Sequence, residues 1–274
     1  MSFERPSRPT RRRKGSMGDT TGIAWTAKTW NPWQGCQKVS PGCENCYMFR
    51  DKARFGQNPE VVVRSATKTF NRPLRWQREA AAGGTERMVF LASWTDFFIA
   101  EADEWRDDAW KIIKQCPDLI FQILTKRHGR IASHLPADWG DGYPNVWLGV
   151  SAEDAFWWDK RVSVLREVPA RVKFVSYEPA VGSLEHPSIK CSAVGIDWVI
   201  IGGESAPGRE FDLKWASEAI SICRRDGAAP FVKQLGSFPM QDGVPFPVKD
   251  DAGGDTEEWP ESLRVREFPK PRIT

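Results

Sequence analysis

The chain has 274 residues, of which 41% are apolar, 12% aromatic and 27% charged, with a formal net charge of +3. That composition excludes disordered, fibrous and membrane-embedded classes, and no apolar run approaches the roughly 20 residues that cross a bilayer. Six cysteines in a chain of this size, with no hydrophobic signal core at its start, argue against a secreted disulfide framework and for a cytoplasmic protein.

Residues 1–17 hold six basic residues against one acid, with Pro, Ser and Gly and no periodicity. They read as a disordered basic arm, and without them the rest of the chain is net negative. A short strand is expected near Ile23–Trp30, followed by a cysteine-bearing loop and a helix after Cys46. The stretch out to residue 87, around Asn71-Arg-Pro73, has only loose patterning.

From residue 88 a rhythm sets in. Apolar runs begin at Met88, Leu119, Val146, Val172, Trp198 and Phe231, spaced by about one βα unit. The stretches between them fit helices, as at 101–115 and at 212–225, where Asp212 is placed to cap. Six such strands plus the weaker first one predict an α/β fold: a single partial or complete parallel (β/α) barrel of the TIM type over residues 18–237. Residues 238–274, with repeated Pro and Gly, read as an irregular extension packed on the barrel or its open edge.

Each run is followed by polar residues: Ser93-Trp-Thr-Asp96, Thr125-Lys-Arg127, Ser151-Ala-Glu-Asp154, Ser176-Tyr-Glu178, Gly202-Gly-Glu-Ser205 and Lys233-Gln234. Loops at the carboxyl ends of parallel strands open onto one face of a barrel and build its active site. For a single loop, ending a strand and capping a helix explains such residues well enough. Six in series point to a shared polar pocket, with Ser93, Asp96, Lys126, Glu153, Glu178, Glu204 and Lys233 as candidates for binding a cofactor or substrate.

Cys36, Cys43 and Cys46 form a C-x6-C-x2-C group on a loop with Gly35, Pro41 and Gly42, whereas Cys116, Cys191 and Cys223 are scattered and read as buried small hydrophobes. Converging thiolates suit zinc or an iron–sulfur cluster. No fourth ligand lies nearby in sequence. In a [4Fe–4S] cluster that leaves one iron open to a small molecule, the arrangement that radical SAM enzymes use to bind S-adenosylmethionine.

The blocks Trp25-Thr-Ala-Lys-Thr-Trp-Asn-Pro32, Gly35-Cys36, Ser40-Pro-Gly-Cys43, Leu124-Thr-Lys-Arg127, Ser176-Tyr-Glu-Pro-Ala-Val-Gly182, Trp198–Gly208 and Val232-Lys-Gln-Leu-Gly236 resemble the phage and bacterial three-Cys-motif family. The resemblance implies a radical-SAM-like barrel with Cys36, Cys43 and Cys46 on the cluster, S-adenosylmethionine as cofactor and an external electron donor. The family brings no settled reaction; a phage association would make a modified nucleobase, or another nucleotide- or DNA-linked group, the leading substrate, with a phage-encoded protein as a further partner. The usual superfamily spacing is C-x3-C-x-aromatic-C; here the first gap is six, Asn45 precedes the last cysteine and Tyr47 follows it. Gly202-Gly-Glu204 resembles the superfamily's methionine-contacting triplet but follows the sixth strand, so that role goes to the Ser93–Asp96 loop after the second. The competing expectation is a zinc-stapled or cluster-bearing barrel that binds nucleic acid or protein without SAM chemistry.

Overall fold

The computed structural model describes residues 21–270 apart from 86 and 206, so the expected basic arm over 1–17 lies outside the described residues. Seven strands form the main sheet: β1 (Lys28–Trp30), β2 (Met88–Leu91), β3 (Ile120–Thr125), β4 (Val146–Ser151), β5 (Val172–Tyr177), β6 (Trp198–Gly202) and β7 (Ala229–Gln234). All neighbours pair in parallel, and spatial order follows chain order from β1 to β7 without a reversal. A parallel sheet that never reverses direction curls one way. Here it makes a half-barrel whose edge strands, β1 and β7, do not pair with each other.

The helices of eight residues or more are α1 (Tyr47–Arg54), α2 (Arg72–Ala81), α3 (Asp103–Lys114), α4 (Ala155–Glu167) and α5 (Leu213–Asp226), and a single helical turn covers Thr67–Phe70. Two crossovers depart from the expected βα rhythm. The β3–β4 connection has two 3-10 turns, His128–Arg130 and Ala132–His134, and the β5–β6 connection has no helix. Gly129, Pro136, Gly140, Gly142 and Pro144 interrupt the first; Pro179, Gly182, Pro187 and Gly195 interrupt the second. Conversely, α2 occupies the loosely patterned stretch. Pro73 stands in its first turn, where a missing N–H costs nothing, and Pro73, Trp76 and Ala80 form its buried face.

Strand alternation divides the core in two. One face, with Val89, Leu91, Phe121, Ile123, Val150 and Val199, packs in the large cluster that includes the helices. The other face carries Phe90, Trp147, Phe174, Trp198, Ile200 and Phe231 together with Trp25, a second cluster that plugs the inside of the curl. Trp198 sits at its centre, with ring centroids 6.0 Å from Trp25, 5.9 Å from Trp147, 5.8 Å from Phe174 and 5.8 Å from Phe231.

The C-terminal region is more ordered than an irregular tail. Pro239–Gln241 pairs with Phe211–Asp212 and with Val244–Pro245. Farther on, Val265 O accepts from Val232 N–H at 2.8 Å, Glu267 N–H donates to Pro230 O at 3.0 Å, and Arg266 bridges Phe231 in antiparallel fashion. The segment therefore runs along the outer edge of β7, and Phe268 stacks on Trp198. No helix among the described residues is long and apolar enough to cross a membrane.

Asp212 caps α5 as expected, accepting the Lys214 N–H at 2.9 Å. Asp212→Ala is expected to lower unfolding free energy by about 1 kcal/mol, measured by urea titration.

Candidate functional site

A cavity of about 480 Å³ opens at the carboxyl ends of the strands, within the roughly 300–1,000 Å³ typical of small-molecule sites. Its apolar lining, Ile23, Trp25, Phe90 and Leu124, continues the aromatic plug, so the inner face of the sheet changes from dry to polar along its own length. The cysteine loop forms one wall, and Cys36, Cys43 and Cys46 all line the cavity.

Local geometry fixes that loop. Gly35 has φ +105°, and a Cβ there would lie 2.3 Å from Val61 O, so only glycine lets the chain turn so close to the 59–64 segment. Cys36 N–H donates to Pro59 O at 3.0 Å. Pro41–Cys43 forms a 3-10 turn whose Gly42 packs on Glu153, where an added Cβ would come within 2.5 Å of Cγ. Cys46 then stands at the N-cap of α1.

Of the seven expected binding residues, six line the cavity: Ser93, Asp96, Lys126, Glu178, Glu204 and Lys233. Glu153 lies behind the wall, fully buried. It pairs with Arg161 at 2.9 Å, accepts Ser40 Oγ at 2.7 Å, and lies 3.7 Å from Lys126 Nζ. It therefore ties the cysteine loop to α4 and is not among the residues that line the cavity.

Two of the six lining residues, Asp96 and Glu204, are already held by neighbours. Asp96 accepts from Phe98 N–H (2.9 Å), Thr125 Oγ1 (2.7 Å) and Lys126 N–H (2.9 Å), and pairs with Arg127 at 3.3 Å. Glu204 accepts Asn45 Nδ2 at 2.9 Å and takes a two-pronged contact from Arg209, at 2.9 and 2.7 Å. Burial alone would raise the Glu204 carboxyl, but the hydrogen bonds from Arg209 and Asn45 hold it below its ordinary value. Arg209 also reaches Glu44 at 3.2 Å, so this pair staples the Cys43–Cys46 turn to the end of β6.

Ser93, Lys126, Glu178 and Lys233 keep polar atoms toward the cavity. The Ser93 hydroxyl accepts Asn31 Nδ2 at 3.0 Å, and its carbonyl accepts the Tyr47 hydroxyl. Lys233 sits at a register shift in β7, two residues on from the inward-facing Phe231, and its side chain pairs with Glu178. Ala92, in the left-handed region at φ +69°, marks the backbone turn from β2 into the Ser93–Asp96 loop. Arg209, Asn31 and the loop-pinning role of Asn45 escape sequence reading, because each acts across a long separation, 159 residues for Asn45 and Glu204.

The three thiols line one cavity, but among the described residues no three His, Cys, Asp or Glu side chains are grouped to hold a metal ion. Burial pushes the Cys36 thiol up to about 12, with Asp96 and Cys43 adding to the rise and Arg127 opposing it. As a free group it is therefore a neutral thiol and a poor nucleophile at neutral pH. A soft cationic centre would be needed to take its proton.

Residues 20–263 match the family described as Protein of unknown function (DUF5131), and the chain belongs to that family. The family description assigns no activity and makes no mention of a three-cysteine motif or of SAM. No curated protein and no solved structure matches the chain.

Proposed function

We propose that this member of a family without assigned activity is an enzyme of the radical SAM type. The observation that carries the proposal is the placement of all three thiols of the C-x6-C-x2-C loop on one wall of the cavity at the mouth of a parallel half-barrel.

Three thiols with no fourth ligand nearby in sequence suit a [4Fe–4S] cluster, whereas a structural zinc takes four ligands. In a cluster each thiolate binds its own iron, so Cys36, Cys43 and Cys46 would hold three irons and leave the fourth to S-adenosylmethionine. When bound, the pair would supply an electron that splits S-adenosylmethionine and gives a carbon radical able to take hydrogen from a substrate.

The chain's own part is to hold and to dry. Ser93, Lys126, Glu178 and Lys233 are the lining groups available to cofactor or substrate, with Glu178 and Lys233 able to exchange their mutual contact for ligand atoms. Asp96, Glu153 and Glu204 orient the walls. Trp25, Phe90 and Leu124 exclude water from below, which protects a reactive intermediate and strengthens every polar contact above them. The same aromatic floor suits a stacked planar ring, so a nucleobase or nucleic-acid-linked group is the substrate we favour, served by an external one-electron donor.

Anaerobic purification tests the reading. The expected result is a brown protein with about four irons per chain that cleaves S-adenosylmethionine to 5′-deoxyadenosine on reduction. A colourless protein with stoichiometric zinc overturns it.

A further inference from the structure

The Arg127 side chain reaches a cysteine sulfur of the cavity wall: Nη1 donates to Cys36 Sγ at 3.7 Å. Its position is fixed from two other sides. Nη2 donates to Gln37 O at 3.1 Å, and Nη1 lies 3.3 Å from Asp96 Oδ2. Asp96 is itself locked by Thr125, Phe98 and Lys126, so the guanidinium has little freedom to swing away. The Arg127 side chain is 11% exposed and that of Asp96 6%, so solvent screens this charge weakly.

We propose that Arg127 is a positioning residue that sets the reduction potential of the centre held by Cys36, Cys43 and Cys46; this rests on the cluster reading above. The couple is a single electron passing from an external one-electron reductant to the centre, with no bond made or broken. The added negative charge spreads onto the thiolate sulfurs. An N–H donor and a cation beside Cys36 stabilise the reduced form more than the oxidised one and raise the potential. The Asp96 charge acts on Cys36 at least as strongly as that of Arg127, so what Arg127 adds is to balance that carboxylate and to supply the directional N–H···S contact. Without Arg127, the Asp96 carboxylate would face Cys36 unbalanced, and the potential would fall on both counts.

The test compares wild type, Arg127→Gln and Arg127→Lys, each purified anaerobically, by iron and sulfide content and by a redox titration followed by electron paramagnetic resonance with dithionite as reductant. Arg127→Gln is expected to keep its iron and to become about tenfold harder to reduce, which for one electron is about 59 mV. Arg127→Lys, which keeps the charge without the planar fork, falls between. Arg127→Gln with full iron and the wild-type potential overturns the proposal and leaves the cluster reading standing. If Arg127→Gln loses iron, the lysine variant decides: a lowered potential supports the assignment and an unchanged one overturns it. A wild-type protein without iron overturns the cluster reading itself, and the role of Arg127 with it.

Discussion

Cys43→Ala is expected to give a folded, colourless protein whose iron falls from about four per chain to near none. Cys43 is buried in the Pro41–Cys43 turn, and what holds that turn does not depend on its sulfur: Ser40 is bound to Glu153, Gly42 packs on the same side chain, and Asn45 and Glu44 reach Glu204 and Arg209. The structural cost should therefore be small, roughly 1 kcal/mol, while the donor set drops from three thiols to two. The remaining cysteines cannot replace it, since Cys116, Cys191 and Cys223 are buried and none lines the cavity. Iron assay and thermal melting on the same sample separate the two effects, and Cys116→Ala serves as the control that keeps its iron. Wild-type iron in Cys43→Ala would remove that residue from the ligand set.

Arg161→Ala should be the most destabilising of the single changes considered, at about 3–5 kcal/mol, because it leaves the Glu153 charge buried without its main partner. Both side chains are fully buried, and Arg161 Nη1 donates to Glu153 at 2.9 Å and to Ser151 O at 2.8 Å. Yet the pair is not built for stability alone. Arg161 Nε and Nη2 have no hydrogen-bond partner, and the guanidinium lies 4.1 Å from the centre of the Trp157 ring. A buried pair left partly unsatisfied makes sense as a fixture: Glu153 holds Ser40 and abuts Gly42, so the carboxylate sets where the cysteine turn sits. Chemical denaturation of Arg161→Ala should show the loss in its midpoint, and an unchanged midpoint would show that the pair contributes little.

Much of this architecture is written in local patterns. The apolar runs at Met88, Leu119, Val146, Val172, Trp198 and Phe231 each coincide with a strand to within a few residues, because a strand buried on both faces needs a continuous apolar stretch. The α5 cap is legible for the same local reason. The helix α2 is not, since its buried face of Pro73, Trp76 and Ala80 includes two residues that signal little periodicity. Polar strand ends locate the cavity but do not reveal what each residue does there. Asp96, Glu153 and Glu204 look like ligand groups in one dimension; in three they are taken up by Arg127, Arg161 and Arg209, partners whose choice depends on packing. Lys233 lies on the inner face by ordinary alternation from Phe231, but its partner Glu178, 55 residues away, is not legible in β7.

The segment along β7 also bears on how the molecule behaves toward its own copies. A curled sheet that does not close leaves rows of unpaired backbone groups, and these are templates for another chain's strand. On the β7 side, Val265 and Glu267 occupy the positions at Val232 and Pro230 that an incoming strand would use, and Arg266 covers more of that edge by donating to the Val232 and Lys233 carbonyls. Residues far from the cavity in sequence thus act as an edge guard, keeping an apolar strand from polymerising through its backbone.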